Sequence, residues 1–398
     1  MRANPLIVAW ISNFPVEWLP GLPEELQSLP REHPSSWQRV LLGELENRPE
    51  LRLHVLVLRK QLERDFTFTR NGVTFHLLKV SGGLRAPTLF WLDTWRIHRQ
   101  LAEIQPDVVH AWGTERGASS VAGRLKYPYL TTIQGLLTWY GEIAPLNRYH
   151  RFASLLERWS LPRSPVVTTE STFAVNFIRQ RWPGTNVRQV EHAPDWLFHE
   201  VQRRPQTSPV RFLFVGTISK IKGTDLLFTA LDRLVNEVNF EMVVVGDPPA
   251  AFLEEQRRST SAGLWSRIQF KKNLRPNEVA AEMAVATILL FPTRADTSPN
   301  SVKEAVVAGV PVVASSVGGI VDYVWPRQNG LLFCSGNIEE FVTAIRTTLA
   351  HPRFGCGAVE PSALARARDY LSPQRMGEAF MEIYENLASS PLTRSSRH

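Results

Sequence analysis

The chain has 398 residues, 43% of them hydrophobic and 21% charged, and a net charge of +7. That length is too great for one hydrophobic core, so two domains of an ordinary soluble protein are expected. Lysines and arginines are dispersed with no polybasic run, which argues against a nucleic-acid partner; Cys334 and Cys356 build neither a disulfide framework nor a metal spacing and favour a reducing compartment.

The chain opens on the apolar run "LIVAWI" (6–11), too short for a signal core or a membrane span and readable as a buried first strand. Strands are predicted next at 52–58, 108–112, 129–133 and 165–169, with helices at 88–104 and 147–161 among them. A polar, proline-rich join follows at 191–210. Beyond it, strands at 211–216, 240–246, 268–270, 287–292, 310–315 and 330–333 alternate with helices near 223–235, 275–285, 299–308 and 337–349. Strands apolar on both faces that alternate with helices mean parallel sheets covered on both sides. The expected fold is α/β, with two doubly wound domains over 1–195 and 196–371. A Ser-Pro start opens an amphipathic helix at 372–388; the segment 372–390 is expected to pack back on the N-terminal domain and 391–398 to be a disordered tail.

One stretch concentrates chemistry: "RADTSPNSVKEAVVAGVPVVAS" (294–315). The strand before it places Asp296 in a turn at the carboxyl end of the sheet, where open α/β folds bind ligands. Ser298 is the expected N-cap and Pro299 the first helical residue. The amides of Asn300, Ser301 and Val302 would then face outward and, with the helix dipole, form an anion site. Glu304 lies four residues after Asn300, on the same face and about 6 Å along the axis. A diphosphate at this helix start would set Glu304 beside a sugar diol and Asp296 within reach of hydroxyls on the other side. Taken alone, the pair also fits a loop acid and a solvated helix acid.

The stretch resembles the retaining glycosyltransferases of family 4, whose motif has a Glu, seven residues, a second Glu and then "A-x-x-x-G-x-P-V-V"; here Asp296 stands in place of the first Glu and Glu304 matches the second. "VGGIVDYV" (317–324) and "QNGLLF" (328–333) continue the resemblance, which runs over nearly all of 107–388. "FVGTISKIKGTDLLFTAL" (214–231) resembles the family's phosphate-binding turn, with Gly216 at its glycine and Lys222 at the cation that neutralises the donor diphosphate. Thr217 stands where the family has an arginine, and Lys220 is the candidate substitute. Backbone groups near Asn273 and Leu274 would frame the base. On the acceptor side the candidates are His110, Glu115 and Gln134, the last at a position where the family has histidine. His110 also fits a core histidine, and Glu115 a helix-start acid. The family's early glycine-rich turn is not recognisable; "LPREHPSSWQRVL" (29–41) stands near its place, with Ser35 or Ser36 as an N-cap.

The resemblance implies the GT-B fold, with two Rossmann-like domains facing across a cleft. It implies retaining transfer of a sugar from a UDP- or GDP-sugar to a carbohydrate or lipid-linked hydroxyl, in polysaccharide or glycolipid assembly. Neither an Asp-x-Asp triplet nor a histidine pair at metal spacing occurs, so no metal and no cofactor are expected. A nucleotide-sugar epimerase or hydrolase and a non-catalytic sugar-nucleotide binder remain open on the same fold. A nicotinamide dehydrogenase and a P-loop enzyme lack their glycine motifs. A cytoplasmic location is expected. The aromatic and arginine-rich segment 139–165 is a candidate peripheral membrane contact, or a domain helix with a solvated basic face.

Overall fold

The computed structural model describes residues 4–32 and 35–389; the tail 391–398 lies outside them. The chain divides into two compact units. The first comprises residues 1–170, 174–192 and 373–398, and the second 171–173 and 193–372.

In the first unit the described strands are β1 (Leu6–Ser12), β2 (Leu51–Arg59), β3 (Phe66–Arg70), β4 (Val73–Lys79), β5 (Val108–Trp112), β6 (Tyr129–Thr132), β7 (Val167–Thr169) and β8 (Val187–Gln189). They form one sheet in the order β3-β4-β2-β1-β5-β6-β7-β8. Every pairing is parallel except β3 with β4. β5 is buried throughout and β1 nearly so, because helices cover both faces of a parallel sheet. The β3–β4 hairpin lay outside the expected elements. Its two-residue loop is Asn71-Gly72, both at positive φ, the backbone that a tight hairpin requires.

The second unit holds β9 (Val210–Val215), β10 (Phe240–Val245), β11 (Ile268–Lys271), β12 (Ile288–Phe291), β13 (Val312–Ser315) and β14 (Gly330–Phe333). They lie parallel in the order β11-β10-β9-β12-β13-β14. Phe212, Phe214, Phe228, Phe240 and Phe291 are buried in its core; each such ring contributes about 2–3 kcal/mol of burial. Strand order reverses at β9 and β12 here, and at β1 and β5 in the first unit. Crevices beyond the carboxyl ends of such strands are where open α/β sheets bind ligands.

The last helix, Pro373–Ser389, belongs to the first unit. It packs on the helix Ser36–Leu45, where Gly377 lies so close to Glu44 that an added Cβ would sit 2.9 Å from its Cβ. Trp10 Nε1 donates to the Tyr384 hydroxyl at 3.0 Å, which lies 2.7 Å from His110 Nδ1. Since the tyrosine oxygen accepts from Trp10, its proton is available to His110.

Candidate active site

The site in the second unit begins with two turns pressed together. Strand β9 leads into residues 216–223 and the helix Thr224–Leu234; β12 leads into residues 292–299. Gly223 has φ +70°, and a Cβ there would lie 1.7 Å from the Pro292 carbonyl oxygen. Only glycine permits that approach. Ile221 O accepts from Arg294 N at 2.7 Å and from Thr293 Oγ1 at 3.2 Å. The Arg294 guanidinium forks onto Asp225, with its two bonds at 2.7 and 2.8 Å. This clamp brings Lys222 Nζ to 2.5 Å from Asp296 Oδ2. Sequence reasoning assigned these two residues separate roles; the structure joins them. Asp296 is 8% exposed, and its other oxygen accepts from Ser298 N at 3.2 Å.

The loop is supported from behind by the glycine pair. Gly318, at φ +54°, would place a Cβ 1.7 Å from Asp296 O, and Gly319 N donates to Thr297 O at 2.7 Å. Asp322, two turns of chain later, accepts from Thr172 N at 2.8 Å. The two glycines therefore shape the Asp296 loop from its backbone side.

The helix at this loop is Asn300–Ala308, with Pro299 at the cap position. Ser298 is not its N-cap: its amide serves Asp296, and its hydroxyl lies 3.3 Å from the Tyr323 hydroxyl. Val302 N donates to Pro299 O at 3.2 Å, so the expected trio of outward amides reduces to Asn300 and Ser301, which have no partner among the described residues. Glu304 is half-buried and makes no hydrogen bond or ion pair among those residues. Burial pushes its carboxyl up to about 7, opposed by the neighbouring Lys303 ammonium and reinforced by Asp195.

Lys220, the candidate substitute for the absent arginine, is engaged elsewhere. Its ammonium pairs with Glu255 at 2.8 Å on an exposed surface, away from Asp296. Thr217 is exposed, and Gly216 N completes the ladder to Val245 O at 3.0 Å. Asn273 is exposed in a left-handed backbone at the end of β11, and Leu274 packs on the core.

In the first unit, Glu115 and Gln134 both line a cavity of about 250 Å³ with Asn13, Trp37, Trp112 and Arg116. It lies beyond β1, β5 and β6, at that sheet's reversal point. Glu115 accepts from Thr114 N at 3.0 Å. His110 is a correction: it is fully buried, stacks on Trp112 at 4.2 Å and lies 2.6 Å from Thr132 Oγ1, so it cannot touch an acceptor. Burial pushes its imidazole well below the ordinary range, with His192 adding to the effect. Sequence reasoning missed Glu157. This buried carboxylate accepts from Leu137 N at 3.0 Å, Thr138 N at 2.8 Å and Thr114 Oγ1 at 3.4 Å. It ties the segment after β5 to the start of the helix Leu137–Ile143. Burial raises its pKa, and no sequence signal marks it.

Two family profiles match the chain: "Glycosyltransferase Family 4" over residues 44–193 and "Glycosyl transferases group 1" over 209–351. The chain belongs to the family 4, group 1 glycosyltransferases. This glycosyltransferase is 29% identical over 253 residues to 2-deoxystreptamine glucosyltransferase of Streptomyces kanamyceticus, covering 59% of the chain and 65% of that protein. It is 26% identical over 301 residues to glycogen synthase of Mycobacterium tuberculosis, covering 72% and 70%. The chain thus spans about two thirds of the length of these relatives. Its fold is that of sucrose-phosphate synthase from Thermosynechococcus elongatus (TM-score 0.77, 16% identity, 97% of the chain and 100% of that chain). It is also that of HepE from Anabaena in complex with UDP-glucose (TM-score 0.68, 15% identity, 96% and 100%). Both units of the glycosyltransferase are Rossmann-like, as GT-B requires.

Proposed function

We propose that this glycosyltransferase moves a sugar from a nucleoside-diphosphate sugar to a hydroxyl acceptor with retention of anomeric configuration, using neither metal nor cofactor. The observation that carries the reading is the Lys222–Asp296 pair, clamped beyond the carboxyl ends of β9 and β12 beside the open amides of Asn300 and Ser301. As the C1–oxygen bond to the diphosphate breaks, negative charge grows on the leaving group and positive charge on the sugar. The Lys222 ammonium and the two amides meet the first where it develops. A diphosphate that engages Lys222 releases Asp296 to accept from hydroxyls of the transferred sugar, which orients it. Glu304 accepts from a diol of the nucleoside ribose. The acceptor hydroxyl attacks the face that the diphosphate leaves and passes its proton to the departing diphosphate oxygen, and no covalent nucleophile is assigned. The first unit handles the acceptor through the cavity lined by Glu115, Gln134 and Trp112.

UDP-sugars are the first donors to test and GDP-sugars the second, since HepE, of the same fold, is complexed with UDP-glucose. The acceptor is a carbohydrate or lipid-linked hydroxyl in polysaccharide or glycolipid assembly. The cytoplasm is the proposed location, consistent with the free, exposed Cys334 and Cys356; no described helix is long and apolar enough to cross a membrane. One observation favours a second reading, binding without turnover: Thr217 offers no cation and Lys220 is turned to Glu255. A thermal-shift panel of UDP-, GDP- and ADP-sugars decides between them when followed by product analysis in EDTA. A donor-dependent rise in Tm with turnover and a retained anomeric configuration supports transfer. A rise without turnover across a panel of acceptors supports the binder, and no rise for any nucleotide defeats both.

A further inference from the structure

The first unit carries a second surface with no place in this chemistry. Trp91 and Trp95 are each 59% exposed and Leu155 is 62% exposed, and Leu84, Leu89, Leu92 and Trp159 are exposed beside them. Single exposed apolar residues are ordinary, but a contiguous group needs a reason. Contiguity here comes from Arg124, whose guanidinium lies 4.6 Å from the Trp91 ring centre and 5.9 Å from that of Trp159. Its Nη1 also donates to Leu89 O at 2.7 Å. One cation therefore ties the start of the helix Trp91–Ile104 to the end of the helix Arg148–Ser160.

Both helices present amphipathic faces. Thr94, Ile97 and Leu101 turn inward on the first, while Trp91, Leu92, Trp95 and Arg99 turn outward. On the second, Ala153, Leu156, Glu157 and Ser160 are buried, and Arg148, Arg151, Leu155, Arg158 and Trp159 recur outside at helical spacing. Arg99, Arg148, Arg151 and Arg158 have no carboxylate partner among the described residues. Elsewhere exposed arginines are mixed: Arg188, Arg233, Arg258, Arg346 and Arg353 are paired, while Arg52, Arg179 and Arg181 are not among the described residues, so what marks this face is four unpaired guanidiniums gathered beside exposed tryptophans and leucines. The acids within the patch are already engaged: Asp93 is buried against Arg85, and Glu157 is held by backbone amides. Glu103 and Glu142 stand at its margins.

We propose that this face docks on the surface of an anionic lipid bilayer. Tryptophan has an apolar body and one polar N–H, which suits the headgroup level, and the aliphatic side chains beside it gain by leaving water. The unpaired guanidiniums meet lipid phosphates, whose negative surface potential supplies the missing counter-charge. Nucleic acid would use the arginines but not the four leucines. The proposal stands independently of the donor site.

Flotation of the full chain with phosphatidylcholine vesicles, and with mixed phosphatidylcholine–phosphatidylglycerol vesicles, tests it. The chain is expected to float with the mixed vesicles only, and less at high salt. Arg151→Glu with Arg158→Glu should lower the bound fraction about tenfold or more. Trp95→Ser with Leu155→Ser, at positions without a ring or ion-pair partner among the described residues, should lower it about tenfold. Circular dichroism should report unchanged folding for both pairs. Absence of binding to mixed vesicles at low salt, or binding indifferent to both pairs, overturns the proposal. So does self-association in solution that the Trp95 and Leu155 pair abolishes while vesicle binding persists.

Discussion

Replacing Glu304 with Gln removes a charge from a crowded place while keeping the side-chain volume. In the folded chain the carboxyl is raised from 4.5 to about 7. The unfolded chain therefore gives up this proton first. Below pH 4.5 both states hold it and nothing is lost. Between pH 4.5 and about 7 only the folded state holds it, so stability falls as pH rises, and above pH 7 the full penalty stands. At about 1.4 kcal/mol per pH unit the ceiling is about 3 kcal/mol. The side chain is only half-buried, so solvent screening brings the expectation to about 1–2 kcal/mol. Glu304→Gln should thus be more stable than the parent at pH 8, by a few degrees in Tm, and close to it at pH 5. Differential scanning fluorimetry without nucleotide, at both pH values, measures this. A variant that is less stable at pH 8, or displaced equally at both pH values, refutes the burial argument. With donor present the order should reverse, since glutamine loses one of the two carboxylate acceptors offered to the diol.

Lys222→Met should lower kcat on the order of 10²–10³-fold, because the cation facing the leaving diphosphate is gone; steady-state kinetics with the donor found in the thermal panel reads it. Gly318→Ala drives a methyl into the Asp296 carbonyl and should cost about 3 kcal/mol and abolish the donor-induced rise in Tm. Tyr384→Phe strands Trp10 Nε1 and His110 Nδ1 in the core, so the urea midpoint should fall by the equivalent of about 1–3 kcal/mol. Between pH 6 and 8 no activity change should trace to His110, which stays neutral throughout.

The alternation of doubly apolar strands with helices was readable because parallel sheets bury both faces, and β5, β10, β12 and β13 carry that pattern openly. The β3–β4 hairpin was legible too, in the Asn71-Gly72 dipeptide between alternating residues, but the reading followed apolar runs and passed over a half-exposed strand. At the site, residue types and spacing located Asp296, Glu304 and Lys222. They could not disclose the 2.5 Å contact between Lys222 and Asp296, because it depends on Gly223 meeting Pro292 across 69 residues of chain. The direction of Lys220 was unreadable for the same reason: its partner Glu255 comes from a helix 35 residues away. His110 was ambiguous in sequence because a strand-end histidine and a core histidine look alike until Tyr384 supplies its neighbour.

The helix Pro373–Ser389 closes the first unit from the far end of the chain. During synthesis, then, the order of completion is inverted. Residues 193–372 are contiguous and can finish as soon as they leave the ribosome, whereas the unit translated earlier still lacks the helix Pro373–Ser389. A nascent chain stalled at residue 192 would hold its Trp10 and His110 nitrogens without the phenol that satisfies them.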